Sequence, residues 1–306
     1  MKKTSPEILR IKSISQYHQL LSLPKPQHPL VSILRFDNFP VIPIEATVKF
    51  TMEFYVVTIK KDCACKVKYG QTHYDFDEGV MSFMAPEQLM TLDADFIPPG
   101  SGWSMLVHPD LVRNYPLGQK MKEYGFFDYA MNEALILSEK EEASINDIFQ
   151  NIEQEYQLPI DRFSQDVLVS QLDLLLTFSN RYYNRQFITR KVQNSDLLTR
   201  VEALLTEYFN QNQIENEGLR SVTFLAEQLN MSAKYLSDTL RSLTGQSTQQ
   251  HIQNKVIEKA KHMLATTNLS VGEIAYQFGY EYPQSFSKLF KKKTNLSPLE
   301  FRKSFN

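Results

Sequence analysis

The chain has few of the features that mark membrane, secreted or fibrous proteins. Cysteine occurs only twice in 306 residues, too rarely for a disulfide framework. No run approaches the roughly 18 apolar residues that cross a bilayer, and a polar run follows the basic N-terminus where a secretion signal would be apolar. With 10 Gly and 14 Pro the composition is that of an ordinary globular protein. We therefore expect a cytoplasmic protein with no membrane partner.

Signatures of catalysis and of metal binding are also missing. The chain has no Gly-x-Ser-x-Gly, no glycine-rich phosphate loop and no Cys–His arrangement in a recognisable context, so we expect neither an enzyme nor a cofactor. His73 and His108 do not form a closely spaced pair. Cys63 and Cys65 would share one face of a strand and could join a thiolate site, but two ordinary thiols is the commoner meaning, and we expect no metal.

Charge is divided unevenly along the chain. From Arg220 to the end there are 12 Lys/Arg against 6 Asp/Glu, a formal charge of +6, and the preceding 219 residues carry −8. A basic C-terminal module after an acidic one fits a phosphate-binding domain joined to a sensing or dimerising domain. The charge division alone is a weak indication.

Residues 1–135 are predicted to be mostly β. Short β-branched and aromatic runs such as Phe54–Ile59 alternate with turn residues, a pattern typical of a sandwich or barrel. The segment around Trp103 fits either a ligand cavity or an ordinary core. The aromatic run Tyr124–Tyr129 fits either packing over a barrel mouth or a dimer contact.

Helical periodicity begins at Ser138, which opens a capping box with Glu141. A second helix is predicted from about Asp161, with a leucine stripe that needs a partner surface, either the β domain or a second copy of the chain. We expect domains at 1–180 and 198–306, with the polar stretch 181–197 as a linker. A helix is predicted over Thr199–Phe209.

An internal repeat occupies the last ninety residues. The first copy runs from Leu225 and the second from Ile274, and four apolar positions coincide between them. The aligned pairs are Ala226 with Ala275, Leu229 with Phe278, Leu236 with Phe286, and Leu240 with Phe290. The offset is 49 residues before a central turn and 50 after it.

Each copy has the pattern of a helix-turn-helix unit, whose second helix enters the major groove of DNA. Asn230 and Gly279 stand where the turn favours positive φ, and Ser232 is placed to cap the following helix. A long helix from Thr248 to Leu264 is predicted to join the copies and to set their second helices about one DNA turn, roughly 34 Å, apart.

The final segments resemble the AraC/XylS-type transcription regulators. The matching runs are Ile274–Tyr280, Gln284–Lys291 and Leu296–Arg302, and the resemblance covers about residues 198–306. It implies a seven-helix DNA-binding domain and, before it, a cupin-like barrel that binds an effector or mediates dimerisation. The fold expected for the whole chain is therefore α+β.

The resemblance also implies which side chains meet DNA, position by position. The implied set is Lys234, Ser237, Asp238 and Arg241 in the first unit, and Pro283, Gln284, Ser287, Lys288 and Lys291 in the second. Arg241 would lie near phosphate, and Lys291–Lys293 would extend the basic end toward the backbone. Gln284 would read adenine, Lys288 guanine, and Asp238 would accept from a cytosine amino group.

Three positions depart from the family's pattern. Asp238 stands where a basic residue is frequent, which predicts weaker binding by the first unit. Pro283 offers neither a backbone donor nor a polar tip. Asn295 replaces the usual glycine, a tolerable change because Asn also adopts the left-handed conformation.

The resulting prediction is a dimeric transcription regulator, an activator or a repressor, that binds double-stranded promoter DNA, contacts RNA polymerase and responds to a small-molecule effector. The sequence does not identify the residues that bind the effector. The alternative is a small-molecule-binding protein whose helical module mediates only protein contacts. A protein-binding surface would carry exposed apolar or aromatic anchors on the second helix of each unit, whereas a DNA-binding surface would be basic and polar.

Overall fold

The computed structural model describes residues 8–38, 47–61, 68–69, 72–73, 79–92, 100–130, 133–189, 191–210 and 222–304, with backbone alone for 68–69, 72–73, 191–195 and 210. It divides the chain into two units, Met1–Gln186 and Phe187–Asn306. The division falls inside the stretch 181–197, which was expected to be a linker. Its described residues are helical on both sides of residue 190.

The first unit is built on β-sheets, as the strand-like runs predict. The strands are β1 Leu9–Ile11, β2 Val31–Arg35, β3 Val48–Met52, β4 Tyr55–Lys61, β5 Lys68–Tyr69, β6 Thr72–His73, β7 Val80–Met84, β8 Met90–Leu92, β9 Ser101–Val107 and β10 Leu135–Ile136. Antiparallel pairing gives a five-stranded sheet in the order β10-β7-β4-β9-β2. A second sheet has the order β1-β3-β8, and β5 pairs with β6.

The two faces of the five-stranded sheet pack against different layers, because successive side chains on a strand point to opposite sides. On one side Val56, Met84 and Leu106 share an apolar cluster with Ile11 and Met52 of the three-stranded sheet. We call this side the inner face. The mixed α+β fold is confirmed, and the cupin-like barrel remains a prediction.

Helices cover the opposite face of the five-stranded sheet, except the first helix, whose Ile14 belongs to the inner-face cluster. The helices of this unit are α1 Ile14–Leu20, α2 Pro109–Val112, α3 Leu117–Glu123, α4 Glu139–Gln157 and α5 Ser164–Thr189. The capping box at Ser138 and Glu141 is present, with the Ser138 N–H donating to Glu141 Oε2 at 2.9 Å. The leucine stripe of α5, including Leu172 and Leu175, is buried within the chain.

The segment around Trp103 and the aromatic run Tyr124–Tyr129, which each fitted two roles, both pack in this helix-facing core. Trp103 stacks on Phe149 of α4 with ring centroids 5.8 Å apart, and its indole N–H donates to Asn146. Phe126 stacks on Tyr183 of α5 at 5.6 Å and is 2% exposed. Both segments therefore serve packing, which argues against a ligand-lining Trp103 and against a dimer contact at the aromatic run.

Of the residues considered for metal binding, only His108 has a described side chain. His108 caps α2, accepting from the Asp110 N–H at 3.2 Å. Cys63, Cys65 and the His73 side chain lie outside the described residues. Among the side chains that are described, no three of His, Cys, Asp and Glu are grouped so as to hold a metal ion. No described helix is long and apolar enough to cross a bilayer.

Seven helices begin in the described part of the second unit, which leaves out residues 211–221. They are α6 Lys191–Asn210, α7 Val222–Gln228, α8 Ala233–Thr244, α9 Thr248–Thr266, α10 Val271–Gln277, α11 Pro283–Thr294 and α12 Pro298–Lys303. One apolar core runs through all the segments from α6 to α12. The helix predicted over Thr199–Phe209 forms the second half of the longer α6.

Candidate nucleic-acid interface

The first helix-turn-helix unit consists of α7 and α8. Asn230 in the turn has φ 54°, as predicted, and the Met231 N–H donates to Ala226 O at 2.9 Å, closing the end of α7. Ser232 then caps α8, its hydroxyl oxygen accepting from the Tyr235 N–H at 3.1 Å. These local hydrogen bonds set the angle at which α8 leaves the turn.

The second helix-turn-helix unit consists of α10 and α11, and its turn has one residue more than the turn of the first. Gly279 has φ 72°, and the Tyr280 N–H donates to Ala275 O at 3.0 Å, the counterpart of the bond in the first turn. Tyr282 precedes α11 without a side-chain cap, and Pro283 occupies its first turn, where its missing N–H costs no hydrogen bond. The extra residue between Gly279 and α11 explains why the repeat offset changes from 49 to 50.

Each second helix is fixed to the core by one apolar face. Leu236 and Leu240 of α8 and Phe286 and Phe290 of α11 are all 0% exposed, at equivalent positions of the two copies. Both helices end at a left-handed residue, Gly245 with φ 74° and Asn295 with φ 63° in the same place. The predicted tolerance for asparagine at this cap is confirmed by that φ value.

The two units are joined by the predicted connecting helix. α9 extends two residues beyond the predicted end and buries Ile252, Val256, Ala260 and Leu264 in the shared core. Met263, expected on the same face, is partly buried. A helix of 19 residues is about 28 Å long.

The exposed side of α8 carries a compact ion-pair network. Asp238 Oδ1 lies 3.5 Å from Lys234 Nζ and 3.0 Å from Arg241 Nη1, so one carboxylate pairs with both cations of this helix. Ser237 lies beside it, partly exposed. The carboxylate therefore neutralises part of the positive charge that α8 offers to a phosphate backbone.

The exposed side of α11 is basic without such compensation. Gln284, Lys288 and Lys291 are exposed, while Pro283 and Ser287 are partly buried and the Ser287 hydroxyl donates to Pro283 O at 3.0 Å. Among the described residues no carboxylate lies within ion-pair distance of Lys288 or Lys291. The ammonium groups of Lys288 and Lys291 thus face solvent without a described carboxylate that would compete with phosphate.

Some features of this surface could not be assigned from the sequence. Lys293 Nζ donates to Asn254 Oδ1 of α9 at 2.8 Å, so one of the three consecutive lysines is held toward the connecting helix. Tyr276 and Tyr282 are 59% and 64% exposed beside the start of α11. Neither tyrosine stands at one of the four apolar positions that the two copies share, which is why residue patterning does not single them out.

Comparison with known proteins agrees with this geometry. Residues 225–304 match the family model described as a helix-turn-helix domain. The HTH-type transcriptional activator RhaS of Escherichia coli O139:H28 is 29% identical over 139 residues, which are 45% of this chain and 45% of that protein. The chain thus spans about half the length of the curated relatives that it matches.

The chain is also similar to two solved structures. The C-terminal domain of the two-component response regulator yesN from Fusobacterium nucleatum is 31% identical, covering 36% of this chain and 98% of that chain with a TM-score of 0.30. Unsaturated fatty acid-bound ToxT from Vibrio cholerae is 17% identical, covering 89% of this chain and 94% of that chain with a TM-score of 0.29.

The paired turns, the shared core and the matched family model define the second unit as a twin helix-turn-helix DNA-binding domain. More particularly, the region resembles the AraC/XylS-type domains, and the relatives that it matches include an HTH-type transcriptional activator.

Proposed function

We propose that the chain is a transcription regulator that binds double-stranded promoter DNA by placing α8 and α11 in successive major grooves. The observation that carries this proposal is the repeated arrangement of the two helices, each held by one apolar face in a common core and polar or basic on the other. A surface of this kind suits a polyanion with polar base edges.

The two helices would contribute differently to binding. Phosphate contacts supply salt-dependent affinity, and contacts to base edges supply sequence choice. On α11, Lys291 would face phosphate, Gln284 would read adenine and Lys288 would read guanine. On α8 the pairing of Asp238 with both cations would limit phosphate binding, so α11 would provide most of the electrostatic attraction.

A homodimer is the proposed assembly, supported by an unburied apolar stripe on the first unit. Phe163, just before α5, and Val167 and Leu174 within it follow helical spacing and are 53%, 38% and 44% exposed. A second copy of the same stripe would bury it in a two-fold contact. The buried leucine stripe of α5 is occupied within the chain and leaves this second side for the partner.

The remaining parts of the proposal concern regulation. A small-molecule effector bound to the first unit would change the dimer or the placement of the DNA-binding units, and the protein would act as an activator that contacts RNA polymerase. It would work in the cytoplasm, where promoter DNA is accessible, and without catalysis. The RhaS proteins that match the chain are named as activators, which supports the direction of regulation.

The test is fluorescence anisotropy of the full chain on a pool of labelled genomic promoter fragments at two salt concentrations. The variants are Lys288→Ala and Arg241→Ala, and the matched control is Lys303→Ala, an exposed lysine of α12 outside both second helices. We expect sequence-selective binding that weakens with salt. Lys288→Ala should weaken it by about tenfold, the loss of one good base contact, while the control stays near wild type.

Binding that is absent at low salt would overturn direct DNA recognition. The module would then be assigned to protein contacts, with exposed Tyr276 and Tyr282 as the aromatic anchors to test. Selective binding that is insensitive to Lys288→Ala would keep the proposed function and reject the assigned role of Lys288.

A further inference from the structure

The inner face of the five-stranded sheet changes character along its strands. At one end Val56, Met84 and Leu106 belong to the apolar cluster shared with the other sheet. Two residues further along the same strands, the register places Thr58 directly between Ser82 of β7 and Ser104 of β9. Because side chains two apart share a face, these three hydroxyl groups form a row beside the apolar end.

This row is buried and lacks hydrogen-bond partners in the described structure. Thr58, Ser82 and Ser104 are 6%, 8% and 4% exposed, and no side-chain hydrogen bond joins any of them to another described residue. Their oxygen atoms are nevertheless not completely shielded from solvent. Each hydroxyl oxygen therefore keeps a small contact with solvent. Buried hydroxyl groups left without partners are uncommon because their desolvation is uncompensated.

Lys60 continues the same face beyond the hydroxyl row. It is the next inward position after Thr58 on β4 and is paired across the sheet with Gly102 and Val80. Gly102 has φ 120°, and a Cβ there would lie 2.1 Å from Ile59 O, so β9 places no side chain beside the lysine. Within the described residues the Lys60 side chain has neither a hydrogen bond nor an ion pair, and burial lowers the pKa of its ammonium group.

We propose that the inner face binds a small hydroxylated carboxylate, of the sugar-acid class, as the effector of the regulator. The ligand carboxylate pairs with the Lys60 ammonium, and its hydroxyl groups exchange hydrogen bonds with Thr58, Ser82 and Ser104. Neighbouring positions across the strands are about 5 Å apart and two residues along a strand span about 7 Å, distances that a chain of three to six carbons bridges. This inference rests on the proposed function, because it names the ligand class for the effector.

The chemistry distinguishes this class from its neighbours. A neutral sugar satisfies the hydroxyl row but leaves the half-buried ammonium without a counter-ion, so that its partial desolvation is uncompensated. An unsubstituted fatty acid pairs with Lys60 but leaves three hydroxyl groups facing methylene groups. A ligand with both features satisfies the Lys60 ammonium and the three hydroxyl groups together.

The test is thermal unfolding of the full chain with sodium glycerate, gluconate or glucuronate at 10 mM, each compared with glycerol, sorbitol or glucose, and with sodium hexanoate. The variant Lys60→Met removes the ammonium and keeps the apolar stem, so the fold is retained. The matched control is Lys122→Met, an exposed lysine of α3. We expect at least one hydroxylated carboxylate to raise the unfolding midpoint of the wild type and of the control by about 2 °C or more, and to have no effect on Lys60→Met.

Three outcomes would overturn the inference in whole or in part. No shift with any hydroxylated carboxylate rejects the ligand class, and an equal shift in Lys60→Met rejects the site. A hexanoate shift equal to that of gluconate rejects the role of the hydroxyl row. DNA binding is measured on the same samples by anisotropy, so that loss of the effector site is separable from failure of the proposed function.

Discussion

Asp238 and Lys288 occupy the same position of the two repeated helices, 50 residues apart, and carry opposite charges. On α8 the carboxylate pairs with Lys234 and Arg241, whereas on α11 the equivalent lysine is exposed among further cations. The two helix-turn-helix units therefore share one backbone arrangement but differ in the charge that their second helices present to DNA. This difference gives the most direct prediction.

Replacing Asp238 by asparagine should strengthen DNA binding, because Lys234 and Arg241 lose their internal partner. We expect affinity to rise about threefold to tenfold near 100 mM salt and the slope of log affinity against log salt to steepen by about 1 to 2. The measurement is a salt titration by anisotropy. Glu258→Gln is the control, since Glu258 pairs with Lys255 on α9, away from α8 and α11. Weaker binding confined to certain operator positions would instead assign Asp238 to base reading.

Replacing Asn295 by glycine should stabilise the C-terminal unit, Phe187–Asn306, which contains α11. Asn295 ends α11 with φ 63°, a conformation in which glycine avoids the steric cost that other residues bear. The free energy of unfolding should rise by about 0.5–1 kcal/mol for Asn295→Gly and fall by about 1 kcal/mol for Asn295→Ala. Urea denaturation followed by circular dichroism measures both.

The equivalent cap provides the comparison for that prediction. A Cβ on Gly245 would meet nothing within 4 Å, so the cost of Gly245→Ala comes from φ 74° alone. It should lower stability by about 1 kcal/mol, as in Asn295→Ala. An alanine at either cap that leaves the urea midpoint unchanged would contradict the argument.

Acid should weaken the start of α12 through Glu300. Hydrogen bonds from the Ser297 hydroxyl and backbone N–H hold the pKa of Glu300 below its ordinary value of 4.5. Because the pKa is lowered in the folded state, the stabilisation is present above about pH 4.5 and is lost as the pH falls through the lowered value. Glu300→Gln keeps an acceptor that does not titrate.

The urea midpoint of the wild type should therefore fall more between pH 5 and pH 3 than that of Glu300→Gln. Glu281→Gln, an exposed carboxylate outside any capping box, serves as the control and should follow the wild type. Identical profiles for the wild type and Glu300→Gln would show that this cap contributes nothing to the acid sensitivity.

Charge placed on the exposed stripe of α5 should dissociate the proposed dimer. Leu174 is 44% exposed on the same side of α5 as Val167, and a glutamate there would bring two carboxylates into a two-fold contact. We expect Leu174→Glu to change the mass from dimer to monomer in size-exclusion chromatography with light scattering, with the helical signal retained. Leu299→Glu, on an exposed leucine of α12, should remain dimeric. A monomeric wild type would remove the stripe from the proposal.

Much of the second unit could be predicted from residue patterns because its determinants are local. Turns that need positive φ favour asparagine or glycine, and caps need a serine within reach of free N–H groups. Asn230, Gly279 and Ser232 meet these needs in the structure as predicted. The change of offset from 49 to 50 indicates an added residue in the second turn, which the structure places between Gly279 and α11.

Less of the N-terminal unit, Met1–Gln186, could be predicted from residue patterns. The sequence indicates which residues form strands but not which side of a sheet faces helices, because alternation defines two faces and gives no partner to either. Trp103 and the aromatic run fitted two roles each until their packing on α4 and α5 was known. The row formed by Thr58, Ser82 and Ser104 depends on strand register between segments far apart in the chain.

The sequence by itself determined the helical repeat, the two turns and the caps of the second unit, since each depends on backbone conformation and hydrogen bonds within a few residues. It also determined that α8 and α11 have one apolar side for the core. Only the tertiary structure decided that Asp238 pairs with both cations of α8, that the second side of α5 stays exposed, and that Lys60 lies beside three hydroxyl groups. Those relationships depend on side-chain geometry and on contacts between distant segments, which composition and periodicity do not encode.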